Sequence, residues 1–202
     1  MNFISTSCRT ILKLAVVFAF GVLLTACGPA ANTGFIGTDI TGTGLGKELT
    51  MMDHDGRQRT LADYKGKALV VFFGFTHCPD VCPTAMAQLS HVMALLGDRA
   101  AEVHVLMISV DPERDTPEIM SRYVKAFDKR FIGLTGTPEQ LQQTAKSFKA
   151  YYAKVADKTR NTYSMDHSAS FYIFDKKGQA RVLHTGTASA KDLATDIKSV
   201  LG

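Results

Sequence analysis

Two cysteines four positions apart raise the first chemical question in this chain. They stand in FGFTHCPDVCP, Phe73–Pro83, as Cys78 and Cys82, with Pro79, Asp80 and Val81 between them and Pro83 directly after. A thiol pair spaced like this can close a disulfide, work as a redox couple or hold a soft metal between its thiolates. Each role needs different surroundings. The run before the pair, ALVVFFGF over Ala68–Phe75, predicts a strand buried on both faces. From Pro83 the spacing predicts a helix, with Ala85, Leu89, Val92, Met93 and Leu96 on one stripe and Gly97 as its stop. The pair therefore falls in the loop between a central strand and a helix N-terminus, where the backbone dipoles favour a thiolate.

The N-terminus sets the redox setting. Arg9 and Lys13 are the only charges ahead of Cys27, and LAVVFAFGVLL, Leu14–Leu24, is an apolar run of 11 residues. Such a run is too short to span a bilayer and suits an export signal. It ends in LTAC, Leu24–Cys27, which resembles a bacterial lipobox with Cys27 as the lipidated new N-terminus; plain cleavage at a small-residue site is the alternative. Residues 28–46, rich in Gly and Thr, read as a flexible tether, and 47–202 as the folded domain. Cys8 leaves with the leader, so Cys78 and Cys82 are the thiols left for chemistry. Export places them in an oxidising compartment, where a dithiol oxidises unless a reductant or a metal keeps it open. Without Arg9 and Lys13 the 23 basic residues become 21, against 19 acidic ones, a formal +2 with no basic block, which argues against nucleic acid as a partner. The membrane, through the lipid, is the expected neighbour.

The elements that must position the pair follow from the patterning. A hairpin turns at Asp55-Gly56, and VHVLMISV, Val103–Val110, is a second buried strand, so strand, helix and strand form a parallel crossover. DTPEIMSRYVKAF predicts a helix capped by Asp115 or Thr116, FIGLTG a short strand, and TPEQLQQTAKSF a helix capped by Thr137. YYAKVADKTRNTYSMDH reads as an irregular hairpin or loop, SFYIFDKKGQARVLHTG as a hairpin turning at Lys177-Gly178, and SAKDLATDIKSVL as a closing helix. The order predicts an α/β fold: a thioredoxin-like sandwich with a central mixed sheet and flanking helices. Oxidoreductases of that fold face their dithiol with a proline ahead of a late core strand. Here the last proline is Pro138, and His167 stands in the corresponding place, ahead of the strand near Ser170. Two thiolates and an imidazole suit Cu(I) or Cu(II), and less decisively zinc.

FFGFTHCPDVCP, SVDPERDTPE and DHSASFYIFD, in that order from about Leu49 onward, resemble the Sco/SenC family of copper-binding thioredoxin-like proteins. The resemblance implies one copper, Cu(I) or Cu(II), held by Cys78, Cys82 and His167. It also implies a role in assembling the copper-A centre of cytochrome c oxidase, by supplying copper or by keeping the target cysteines reduced. The partner would be the copper-A subunit; the copper donor and the thiol reductant are not named by it. The expected activity is that of an assembly factor rather than a turnover enzyme. The rival is an exported thiol–disulfide oxidoreductase using Cys78 and Cys82. A thiol peroxidase would need one strongly activated cysteine with Thr and Arg around it, and that arrangement is not legible.

The other candidates have simpler readings. His77 abuts Cys78 but points away along an extended segment, which suits a supporting role. Asp80 could tune the metal or serve as a turn residue. Asp166 could orient His167 or simply end a strand. His54, His91, His104 and His184 read as structural or surface residues, and the methionines as core. In DPERDTP, Asp111 can bond turn amides and Asp115 can cap a helix.

Overall fold

The computed structural model describes residues 34–157 and 162–202; the expected leader, with Cys27 in its lipobox-like end, lies outside them. Phe35–Gly202 forms one compact unit. Its strands in chain order are β1 (Thr38–Asp39), β2 (Thr50–Asp53), β3 (Gln58–Thr60), β4 (Ala68–Gly74), β5 (Val103–Ser109), β6 (Ile132–Thr135), β7 (Tyr152–Asp157), β8 (Thr162–His167), β9 (Ser170–Phe174) and β10 (Ala180–Thr185). Its helices are α1 (Val81–Leu96), α2 (Pro117–Phe127), α3 (Pro138–Phe148) and α4 (Ala190–Leu201).

Eight strands form one sheet in the order β1-β10-β9-β4-β5-β6-β2-β3. The pairs β4–β5 and β5–β6 are parallel, whereas β4–β9 and β9–β10 are antiparallel. The sheet is mixed, as the patterning predicts. Every residue of β4 is buried, which is what a central strand covered on both faces requires. Successive side chains of β4 alternate between the faces. Phe73 meets Phe148 of α3 edge-on, with centroids 5.2 Å apart, while Phe72 packs on Phe171, 5.4 Å away. Helix α1 packs along α4 and touches α2. Three helices start where side chains can replace the missing backbone partners: Thr116, Thr137 and Ser189 each accept an amide of the first turn.

The tether expectation needs correction. Residues 28–46 do not form a tether throughout. From Thr38 the chain is a strand of the sheet, β1 against β10, and Ile40 and Leu45 are buried in the core. Small residues there allow close approach instead of looseness: a Cβ on Gly46 would stand 2.7 Å from the Phe148 ring. The cap of α2 is Thr116 alone, while Asp115 turns inward and is fully buried. The excursion after α3 is a regular two-stranded ribbon, β7 against β8, with Tyr152 opposite His167.

Candidate metal centre

The loop after β4 is held by its own backbone before the helix begins. The Cys78 amide donates to the Phe75 carbonyl at 3.3 Å, and the Thr84 amide to the Asp80 carbonyl at 3.1 Å. Helix α1 starts at Val81, two residues ahead of the predicted Pro83, so Cys82 lies within its first turn. First-turn amides have no partner inside the helix, which lets Pro83 sit there without loss and leaves the Cys82 amide free. That amide donates to Cys78 Sγ at 3.3 Å. Cys78 is half-buried and Cys82 fully buried, and both are free thiols. Room for Cys82 comes from Gly74, where a Cβ would stand 3.0 Å from Cys82 Sγ and 2.8 Å from the Phe72 ring.

His167 closes the site from the ribbon. Its Nε2 lies 3.4 Å from Cys82 Sγ, and its Nδ1 lies 3.2 Å from the Ser168 carbonyl oxygen. A carbonyl only accepts, so Nδ1 carries the proton and Nε2 turns its lone pair toward the sulfur. Phe72 and Phe75 hold the ring edge-on, at 6.0 and 5.9 Å between centroids. The ligand atoms of Cys78, Cys82 and His167 all lie within 4.8 Å of one another. Among the described residues no other group of three His, Cys, Asp or Glu side chains converges in this way.

Electrostatics favour the neutral forms of the buried donors. Burial pushes the Cys82 thiol well above its ordinary value, and the neighbouring Cys78 adds to this. At Cys82 burial thus opposes the thiolate that a helix N-terminus favours. Burial likewise lowers His167, opposed by the Ser168 carbonyl and the Asp166 charge, so its ring is held neutral, as a ligand must be. The donor set fits a soft metal. A metal binding sulfur at about 2.3 Å and nitrogen at about 2.0 Å spans an S–N pair up to roughly 4.3 Å apart, and Cys82 Sγ and His167 Nε2 lie within that at 3.4 Å. Two sulfurs and an imidazole match copper in either oxidation state.

The remaining candidates fall at the margin. His77 is exposed, with Nδ1 3.2 Å from Thr76 Oγ1. Asp80 is exposed at the helix cap position, and its side chain accepts only a long bond from Thr84 Oγ1, 3.5 Å. Asp166 is exposed and makes no hydrogen bond to His167; the Ser168 carbonyl orients the ring instead. His54 Nδ1 accepts the Gly133 amide, and His184 donates to the buried Asp196. The sequence reading missed Gly74, the Ser168 carbonyl and Asp115. The Asp115 carboxylate accepts Thr76 Oγ1 and Ser109 Oγ, each at 2.6 Å, beneath the cysteine loop.

A thioredoxin-like sandwich whose first helix start brings two thiols to an imidazole on a late strand defines a class of metal-binding domains. The SCO1/SenC family model matches residues 38–202, and the chain belongs to that family. The mitochondrial SCO2 homolog of Bos taurus is 36% identical over 153 residues, 75% of this chain and 58% of that protein, so the chain spans less than two thirds of this relative's length. The structure of Bradyrhizobium japonicum ScoI with copper bound is similar at 36% identity and a TM-score of 0.70, covering 82% of this chain and 99% of that one. BsSco, in which a disulfide switch was identified, is a member of the Sco family of cytochrome c oxidase assembly proteins. It is 25% identical with a TM-score of 0.62, over 82% of this chain and 96% of that one.

Proposed function

We propose that the domain binds one copper ion through Cys78, Cys82 and His167 and acts as an assembly factor for the copper-A centre of cytochrome c oxidase. The observation that carries this reading is the approach of His167 Nε2 to Cys82 Sγ at 3.4 Å, with the Cys78 sulfur in the same cluster. The copper is cargo. Cys78, half-buried, is the sulfur through which it would enter and leave, and Cys82 and His167 hold it from the protein side. The two thiols also support a second use of the same site, reduction of the target's cysteines, since a half-exposed thiol beside a buried one can attack a disulfide and resolve it. The leader and Cys27 support export and a lipid anchor in a bacterial membrane.

The test is titration of Cu(I) and Cu(II) into the reduced protein. One equivalent should bind, the Cu(II) form should show thiolate-to-copper charge-transfer absorption, and Cys78→Ser and Cys82→Ser should each remove most of the affinity. A stoichiometry near zero, or binding untouched by both serines, overturns the reading.

A further inference from the structure

The turn Asp111–Asp115 contributes no donor to the cluster, yet it grips the chain on both sides of it. On the thiol side, Asp115 accepts the Thr76 hydroxyl at 2.6 Å and the Thr76 amide at 3.1 Å, two residues ahead of Cys78. Ser109 Oγ completes its shell at 2.6 Å. Thr116 performs the helix cap, so this fully buried carboxylate is given over to the loop.

On the imidazole side the turn holds a ribbon that needs holding. Strands β7 and β8 pair only with each other and with no strand of the main sheet. A two-stranded ribbon is marginal by itself in water. Arg114 Nη1 donates to the Tyr163 carbonyl at 3.2 Å, and its guanidinium lies 3.8 Å from the Tyr163 ring centroid. The Tyr163 hydroxyl donates to Asp111 at 2.9 Å, and Asp111 is itself paired with Arg114. Lys154 of β7 bonds Glu113 at 2.7 Å. Tyr163 and His167 share one strand, β8, so fixing the first aims the second. Arg114 also lies 6.0 Å from the Phe75 ring, which touches His167 edge-on.

We propose that the Asp111–Asp115 turn is a positioning element that sets the imidazole against the thiols. Arg114 acts on His167 through Tyr163, and Asp115 acts on Cys78 through Thr76. The inference rests on reading Cys78, Cys82 and His167 as the copper site. The physical need is plain: a metal cluster built from two separate chain segments keeps its geometry only if the segments share a rigid support.

The experiment is a double-mutant cycle on the full chain in detergent, with Cu(II) affinity and the imidazole nitrogen hyperfine coupling as readouts. Arg114→Met should lower Cu(II) affinity about tenfold, the lower end for a residue supporting a ligand, and should alter the hyperfine pattern. In a His167→Ala background its further effect should be less than about twofold, because the two changes act through one ligand. Asp115→Asn should weaken binding in both backgrounds, since it acts through Cys78. Tyr163→Phe keeps the stacked ring and removes only the hydroxyl's bonds within the turn, to Asp111 and, at 3.5 Å, to Glu113; it should shift affinity in the direction of Arg114→Met by a smaller factor. A metal-free readout is amide hydrogen exchange, which should quicken across β7 and β8 in Arg114→Met while β4 and β5 stay protected. An Arg114→Met effect equally large with and without His167, or an unchanged hyperfine pattern beside a lowered melting temperature, would make the turn merely structural. If copper binding proved independent of His167 in the parent protein, the copper reading itself would fail. The exchange data would then decide: quickening confined to the ribbon keeps the turn as the support of the His167 arm, and unchanged exchange removes it.

Discussion

Cys82 Sγ and His167 Nε2 stand 3.4 Å apart, although 85 positions separate them in the chain. One rides the first turn of a helix and the other ends a strand outside the main sheet, so neither local segment defines the contact. The contact distinguishes the copper reading from a pure dithiol. A disulfide exchange needs two sulfurs, whereas a metal cluster also needs the nitrogen. His167→Ala should lower copper affinity by at least about 100-fold, the upper end of what losing mere support to a ligand costs. The rate of thiol exchange with a small aromatic disulfide should stay close to the parent's. Copper binding that ignored the alanine while thiol exchange vanished would move the function to an oxidoreductase.

Gly74 tests how tightly the sulfur is seated. A methyl there would meet the Phe72 ring at 2.8 Å, Cys82 Sγ at 3.0 Å and Met107 Cε at 3.2 Å. Gly74→Ala should cost about 1–3 kcal/mol, the usual penalty of overpacking, and should also shift the Cu(II) charge-transfer band by displacing one ligand. Gly133→Ala is the control. Its methyl would stand 2.9 Å from Met120 Cβ, with no ligand atom among its three nearest neighbours, and should cost stability without moving the band. Identical bands in parent and Gly74→Ala would show that Cys82 does not ligate where the structure places it.

Much of this arrangement is legible in the sequence, and the gaps have physical reasons. The buried β4 and the amphipathic α1 follow from residue periodicity, and the facing of His167 to the cysteine loop follows from the order of elements. The orientation of the His167 ring does not, because it comes from the Ser168 backbone carbonyl, a group every residue carries. Asp115 reads as a cap by its place before Pro117, and only the three-dimensional closeness of Thr76 reveals its other use. The opposing effect of burial on Cys82 is not legible, because burial depends on long-range packing. Residues 38–46 look like a linker by composition, since the close contacts that select glycine lie on distant elements such as Phe148 and Phe174.

Acid should loosen the edge hairpin. Asp53 is 2% exposed, and burial alone would raise its carboxyl, but the Arg57 amide, the Arg59 guanidinium at 2.6 Å and the Asp55 amide hold it below its ordinary value. With the folded value depressed, its contribution is full above the unfolded value of 3.8 and is lost as pH falls through the folded one. Asp53→Asn should cost about 1–3 kcal/mol at pH 7, typical for bonds to a buried charge, and should flatten the fall in urea midpoint between about pH 5 and pH 2. Parallel pH profiles for parent and variant would refute the assignment.

The last prediction concerns where the domain begins. The buried Asp196 of α4 accepts the Ile36 amide at 2.9 Å, the Gly37 amide at 2.8 Å and His184 Nε2 at 2.7 Å. One carboxylate thereby ties the entering chain to both a helix and a strand. A Cβ on Gly37 would lie 2.6 Å from Val182, so the strap passes where only glycine fits. Beyond it β1 pairs with β10, Ile40 and Leu45 enter the core, and the Gly46 amide donates to Ser147. A chain starting at residue 47 loses all of these. Burial of the two aliphatic side chains alone is worth about 3–6 kcal/mol, so a start at 47 should lower the urea midpoint sharply relative to a start at 34. Asp196→Asn in the longer chain should cost a part of that, because an amide cannot accept the same three donors. Its effect should vanish in the chain starting at 47 except for the share owed to His184. Equal stability of the two starts would mean that residues 34–46 are a tether after all.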